Sequence, residues 1–309
     1  MNKDLINKML PNKKTKYIFF GGKGGVGKTT MATATAVWFA DHGYKTTIVS
    51  TDPTVSLSAI FAQEIGGEAR VPIHHVKNLC GLNINPNDAK GVFTSRLTGV
   101  MGQMTGTFGG DIISTPCMEE MATFDQFVTF LEKPDSEVIV FDTAPTGKSL
   151  RELAMPFDWA GFMQNQIAEG KKLAELMNTN NNDSFKDLEK DKARYEFALS
   201  VLRDKIATVF SLVLLPERLP IEETQSAITG LDKLGIPVQG IVVNQTILPE
   251  VIEGNRFLTA RAKLQRNYLN EIDTRFKELI QIRLPLLDHD VSDLTSLRKV
   301  GKLLYGDGK

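Results

Sequence analysis

The sequence predicts an α/β protein, a doubly wound and mostly parallel sheet with a helical subdomain at one edge. Three observations lead to it. Short β-branched and aromatic runs recur between longer segments of helical period. Several of those runs are apolar throughout, without the alternation of a half-exposed strand, as strands covered on both faces are. A glycine-rich turn, GGKGGVGKTT, links the first run to the first helical segment, which is how a strand–loop–helix unit of such a sheet begins.

The first strand is Tyr17 to Phe20, and the helix after the glycine-rich turn is Met31 to His42. A second strand covers Thr46 to Ser50, a third Leu82 to Ile84 and a fourth Glu137 to Phe141. The apolar run Thr208 to Leu215 is the next strand. A helix over Glu222 to Leu234 follows Pro220 and opens with two acids, Glu222 and Glu223, which favour the positive end of a helix. Gln239 to Val243, a helix over Phe257 to Lys277 and a strand over Ile280 to Leu284 complete the series. From about 86 to 130, and again from about 149 to 204, the pattern is helical or irregular with no convincing strand. These stretches flank the Glu137 strand, so they read as a helical subdomain inserted into one domain spanning residues 1–309. Within it, Asn178 to Asp183 reads as a solvated loop and the charged run KDLEKDK as an exposed helix face.

The 309 residues are 42% hydrophobic and 24% charged, the proportions of a globular chain with enough apolar surface for a core. Lys and Arg number 36 against 37 Asp and Glu, so a net charge of -1 offers no field to hold a nucleic acid, and none is expected as a partner. Two cysteines cannot make a disulfide framework and fit a reducing compartment, so the chain is expected to be cytoplasmic. The polar start MNKDLINKMLPNKKTK lacks the apolar centre of a secretory signal. The longest apolar run, Val209 to Leu215, is too short for a bilayer, which takes about 20 residues, so no membrane span is expected.

The chemistry concentrates in the glycine-rich turn. Gly22 to Thr29 has the pattern of a phosphate-binding loop in its required place, after a strand and before a helix. Gly22, Gly24, Gly25 and Gly27 let main-chain N–H groups, that of Val26 included, turn inward around phosphates; Lys28 supplies positive charge to the β and γ phosphates. The Thr29 hydroxyl suits Mg²⁺, and Thr30 continues the binding stretch, so ATP and Mg²⁺ are the expected cofactors. Two acids, Asp52 and Asp142, follow strands at the carboxyl ends where such sheets meet ligand. Mg²⁺ needs one or two carboxylates beside its waters. Asp142 is therefore assigned to the metal shell, and Asp52 to the metal or the attacking water.

Lys23 makes the loop GKGGVGKT, which resembles the deviant phosphate loop of the MinD-like and nitrogenase-iron-protein-like ATPases. In that class this lysine reaches across a dimer interface to the partner's nucleotide. With STDPTVSLSAIF, FDTAPTGKSLRELAMP and PERLPIEETQSAITGLDKLGIPVQGIVVNQTILP added, the chain resembles the arsenical pump-driving ATPase family, which includes the tail-anchored-protein targeting ATPases, from about Lys16 to Leu304. The resemblance implies a homodimer around two nucleotides, with catalytic roles for Lys23, Lys28 and Asp52. It also implies switch loops after the Asp52 and Asp142 strands, and Asn244 and Pro285 bordering the adenine.

Some positions depart from that family. Targeting members usually read DPAHNLSD after the Asp52 strand, with a water-orienting Asp where this chain has Ala59, and DTAPTGH reads DTAPTGK, with Lys148 in place of His. Their zinc-binding CxxC maps to Asn255 and Leu258, neither a zinc ligand. TPCMEEMATFDQF resembles a segment of bacterial pump-driving ATPases, and Cys117 falls on their first arsenite-binding cysteine; the second is absent. Two copies of Cys117 across a dimer axis could hold As(III) or Sb(III), or Cys117 is a small buried residue. Cys80 reads as core. The glycine- and methionine-rich stretch Gly99 to Asp111, with Met118, Met121, Met155, Met163 and Met177, reads either as core filler beside a loop or as an adaptable client groove.

Three functions stay open: a motor for arsenite or antimonite efflux through a membrane pump, a targeting chaperone for tail-anchored membrane proteins, and a nucleotide-gated module with little turnover. The first is preferred, on Cys117 and Ala59. A dinucleotide oxidoreductase is disfavoured, because Lys28 and Thr29 belong to a triphosphate loop.

Overall fold

In the computed structural model of the chain, residues 3–12, 14–51, 57–67, 69–84, 116–132, 134–143 and 182–307 are described, with isolated helical positions at 164 and 168. The chain divides into two compact units, one of Met1–Asn83, Ser136–Ser149 and Asp204–Lys309, the other of Ile84–Asp135 and Leu150–Arg203.

The first unit holds one sheet of eight described strands: β1 (Lys16–Gly21), β2 (Thr46–Ser50), β3 (Val71–Pro72), β4 (Leu79–Asn83), β5 (Val138–Asp142), β6 (Thr208–Leu214), β7 (Val238–Thr246) and β8 (Ile280–Pro285). Their order is β3-β4-β2-β5-β1-β6-β7-β8, and every pair is parallel except β3 with β4. Sequence order reverses around β1, so the strands run to one side and then to the other. That is the doubly wound arrangement, with its crevice at the carboxyl ends beside β1. β1, β2, β5 and β6 are buried at every residue, which is why their sequences show no alternation. Phe19 stacks on Phe141 at 4.6 Å and on Phe210 at 4.4 Å, tying three adjacent strands through one aromatic row.

The other face carries Ile18, Phe20, Val140, Val213, Val242 and Ile282 in one core cluster with residues of α1 (Lys3–Met9), α2 (Lys28–Asp41), α3 (Leu57–Phe61) and α8 (Leu294–Tyr305). α2 is apolar almost all round and buries eleven of its fourteen residues. Its buried threonines are satisfied: Thr33 donates to the Thr29 carbonyl and Thr35 to the Met31 carbonyl, both at 2.6 Å. α8 packs so closely on α2 that a Cβ at Gly301 would stand 3.1 Å from the Ala34 carbonyl oxygen. A capping box of Asp293 and Ser296 starts α8, and Tyr305 at its end meets the Thr35 hydroxyl at 2.7 Å.

Several boundaries differ from the sequence reading. β4 covers Leu79–Asn83 rather than Leu82 to Ile84, and Cys80 on it is partly exposed, not core. α6 (Arg218–Lys233) begins before Pro220, which sits in the first turn where its missing N–H costs nothing. α1, α3, α8 and the two-residue β3 are additional to the elements expected from the sequence.

In the second unit, α4 (Pro116–Glu132) and α5 (Asn182–Arg203) bury Phe124, Phe127, Val128 and Leu131 together with Tyr195, Ala198, Leu199 and Leu202. Arg194 joins them: its guanidinium pairs with Asp125 and, at 2.6 Å, with Glu132, while Tyr195 donates to the same Asp125 carboxylate at 2.8 Å. Lys186, Glu189 and Lys190 of the charged run are exposed on α5. The glycine- and methionine-rich stretch lies outside the described residues.

Two stability tests follow from these contacts. Arg194→Ala leaves the Asp125 carboxylate buried without its guanidinium, so denaturant unfolding should show a loss of about 3 kcal/mol in the second unit. Tyr305→Phe removes one buried hydrogen bond while Thr35 keeps its bond to Met31, and should cost about 1 kcal/mol by the same measurement.

Candidate active site

β1 ends at Gly21, and the chain re-enters regular structure at Lys28, the first residue of α2. Three glycines at positive φ make the intervening loop possible, Gly25 at 81° and the two that also face close contacts. Gly22 has φ 147°, and a Cβ there would stand 2.3 Å from the Val213 carbonyl oxygen of β6. Gly27, which caps α2, has φ 101° and space for a Cβ only 2.5 Å from Asn244 Nδ2. Between them Gly24 and Gly25 are exposed, whereas Val26 is 1% exposed and plugs the loop into the core. The first turn of α2 thus presents its N–H groups beside a glycine loop, the arrangement that binds anionic phosphate.

Lys28 is buried at 5% exposure, and its Nζ donates to the Lys23 carbonyl at 3.1 Å, lying back across the loop. Thr29 and Thr30 are half-buried on the same turn. Lys23 lies at the surface, where its ammonium pairs with Glu223 of α6 at 2.9 Å. Asn244 on β7 donates through Nδ2 to the Val26 carbonyl at 2.9 Å, so it supports the loop from within the fold. Pro285 closes β8 opposite Thr246.

Asp142 is the last residue of β5, fully buried, and paired in register with Phe20 of β1 on one side and Ser50 of β2 on the other. The strand ends are tied there: Thr143 donates through Oγ1 to the Phe20 carbonyl at 2.9 Å, and the Thr51 N–H to the Asp142 carbonyl at 3.0 Å. Ser50 Oγ lies 3.4 Å from the Asp142 carboxylate. A carboxylate at zero exposure is costly unless it is paired or coordinating. Its oxygen chemistry and that of the Thr29 hydroxyl fit Mg²⁺, which prefers hard oxygen donors and keeps several waters. Among the described residues no group of three or more His, Cys, Asp or Glu is arranged to hold a metal.

Asp52 and Lys148 fall outside the described residues, although Thr51 places the chain at the end of β2, beside Asp142. Ala59 is exposed on α3. Asn255 is the N-cap of α7 (Arg256–Arg275), accepting from the Leu258 N–H at 3.0 Å, so the positions that align with a CxxC form a helix cap. Cys117 is the second residue of α4, and its side chain is outside the described set. Glu223 is legible in the sequence as a helix-start acid and Asn244, by resemblance, as a base neighbour; the Lys23 ion pair and the support under the loop are not, because both join residues distant in the chain.

A family model described as anion-transporting ATPase matches residues 15–306. The chain belongs to the anion-transporting ATPase family. Members hydrolyse ATP through a P-loop, and this chain is such an enzyme. It is 35% identical to a Halobacterium salinarum protein named "Putative arsenical pump-driving ATPase", over 97% of this chain but 45% of that protein. The chain thus spans about half the length of that relative. It is 32% identical to the Paramecium tetraurelia ATPase ASNA1 homolog 2, over 97% of this chain and 96% of the relative, and 33% identical to ATPase GET3C of Arabidopsis thaliana, over 97% and 85%. Among the described residues no helix is long and apolar enough to cross a membrane.

The loop geometry separates its glycines. Gly27→Ala puts a side chain into left-handed backbone and against Asn244, and should destabilise the fold by about 2–4 kcal/mol. Gly24→Ala meets open space and should cost less than about 1 kcal/mol in the same thermal or denaturant unfolding series.

Proposed function

We propose that the chain works as a Mg²⁺-dependent homodimer whose ATP cycle moves its helical subdomain, about 86–130 and 149–204. The observation that carries this is the occurrence together of a buried Lys28 at the start of α2 and a buried Asp142 at the end of the strand beside β1, while Lys23, toward the surface of the same loop, is held only by an ion pair with Glu223. Lys28 holds the β and γ phosphates, with the N–H groups of Gly22 to Thr30 around them. Thr29, Asp142 and Asp52 would hold Mg²⁺, which supplies charge compensation to the phosphates when bound. Asp52 also orients water for in-line attack, since Ala59 carries no group for it. Lys23 acts on the partner's nucleotide, as the deviant form of the loop implies, and Asn244 and Pro285 lie toward the base.

The cycle is read as driving arsenite or antimonite efflux through a membrane pump, supported by Cys117 and by the arsenical pump-driving relative. One observation favours the second reading, a targeting chaperone for tail-anchored membrane proteins. The chain spans 96% and 85% of the single-length ASNA1 and GET3C relatives, against 45% of the pump-driving one.

Two experiments test these assignments. Lys28→Ala should abolish Mg²⁺-ATPase activity, whereas Lys23→Ala should keep ATP affinity within about threefold and lose about 10³-fold in turnover, the size of an arginine finger's effect; equal loss of binding and turnover in both would remove the trans role. Arsenite should stimulate turnover in the wild type and not in Cys117→Ser. Stimulation that survives this change removes Cys117 from the arsenite site, whereas no stimulation at all beside co-purifying tail-anchor helices decides for the chaperone.

A further inference from the structure

We propose that Asn244 is a positioning residue for the phosphate loop, and that Gln265 of α7 holds the bulge that aims it. The proposal rests on reading Gly22 to Thr29 as a triphosphate cradle, and it goes beyond the place at the base that the resemblance gives Asn244. The register of β7 with β8 runs from Val243 against Arg283 to Thr246 against Pro285, so Asn244 and Gln245 together face Leu284. This is a β-bulge, which re-aims a side chain out of its ladder. Gln245 takes left-handed backbone, φ 58°, and its N–H donates to Asn244 Oδ1 at 2.9 Å. Asn244 is 7% exposed, and its Nδ2 donates to the Val26 carbonyl at 2.9 Å. The same nitrogen occupies the space beside Gly27. One amide therefore bears on two consecutive loop residues, immediately before Lys28.

The far side of the bulge is held from α7. Gln265 Nε2 donates to the Gln245 carbonyl at 3.0 Å, and the Ile247 N–H donates to Gln265 Oε1 at 2.7 Å. A continuous set of hydrogen bonds thus runs from Gln265 through Gln245 and Asn244 to Val26. α7 itself is loosely seated: of its 20 described residues Ile272 is the one that is buried. Its other attachments include exposed ion pairs, Arg261 with Glu217 and Arg275 with Glu222 at 3.0 Å each, and Asp273 with Arg283. Pairs of that kind hold weakly. Small movements of α7 consequently reach the loop, and phosphate in the loop sets the seat of α7 in return.

Displacement of a fluorescent ATP analogue by ATP and by tripolyphosphate, which has no base, separates loop support from base contact. Asn244→Ala should weaken tripolyphosphate about tenfold, for one lost buried hydrogen bond, and ATP by at least as much. Gln265→Ala should weaken both by about threefold, and in the ligand-free chain both variants should quicken amide hydrogen exchange at Val26 to Thr29. A loss confined to ATP, with tripolyphosphate affinity and loop exchange unchanged, overturns the proposal. Gln265 is only half-buried, so Gln265→Ala reports even where Asn244→Ala folds poorly; wild-type affinity and exchange in it remove the relay from α7. Lys28→Ala distinguishes the deeper failure: a wild type that binds neither ligand better than Lys28→Ala sinks the cradle itself, and the proposal with it.

Discussion

The confinement of β1 governs the rest. It is buried on both faces and flanked on both edges by parallel partners, β5 and β6, so the chain leaves the sheet through a gap whose wall is the Val213 carbonyl. A side chain at Gly22 would strike that carbonyl at 2.3 Å, which makes glycine a packing requirement there as much as a turn residue. Six residues later the chain is fixed again, because α2 is buried almost all round. The loop is thus held at both ends by core packing, and its N–H groups need little reorganisation to meet an anion.

The same confinement explains the acid. Parallel pairing of β5 with both β1 and β2 brings Asp142 level with Phe20 and Ser50. Thr51 and Thr143 then cross-tie the strand ends through main-chain carbonyls. A buried ammonium at Lys28 and a buried carboxylate at Asp142 are each expensive to desolvate. In the proposed function a charged ligand offsets that cost at both groups. Family membership gives that ligand its identity as ATP.

What could be read from the residues depended on the range of the interaction involved. Apolar runs buried on both faces give a local signal, and β1, β2 and β6 stand where they are expected. The glycine loop is equally local, since its pattern and its strand–helix context lie within a few residues. α8 was missed although Leu294, Leu297, Val300 and Leu304 lie on one helical face behind an Asp293 cap; Gly301 in its interior lowers helix propensity, and its reason is contact with Ala34, far away in sequence. β4 was displaced toward Ile84 because Cys80 and Gly81 weaken the pattern at its start. The resemblance gives Asn244 a place at the base, but the residue pattern itself shows only a polar residue closing a strand. Its contact with Val26 spans 218 positions and depends on a bulge, which single-sequence periodicity does not register.

The magnitude of one exposed contact bears on how the lysines divide their work. Lys28 is buried and lies against its own loop, which suits the proposed role at the nucleotide of its own chain. Lys23 is 40% exposed and its Glu223 partner 42%, and an ion pair in that setting contributes about 0.2–1 kcal/mol. A triphosphate presents several negative charges in a site from which water is being excluded, and a charge-assisted bond to it is worth about 1.5–3 kcal/mol. In the proposed homodimer the balance therefore favours release of Lys23 from Glu223 when the partner's nucleotide comes within reach. Glu223 keeps the side chain ordered at the mouth of the loop in the meantime, so less rotamer entropy is lost at transfer than from a freely moving lysine. A buried pair at this position would reverse that balance and hold the lysine at home. The exposure of the pair is consequently as much a part of the proposed trans mechanism as the lysine itself.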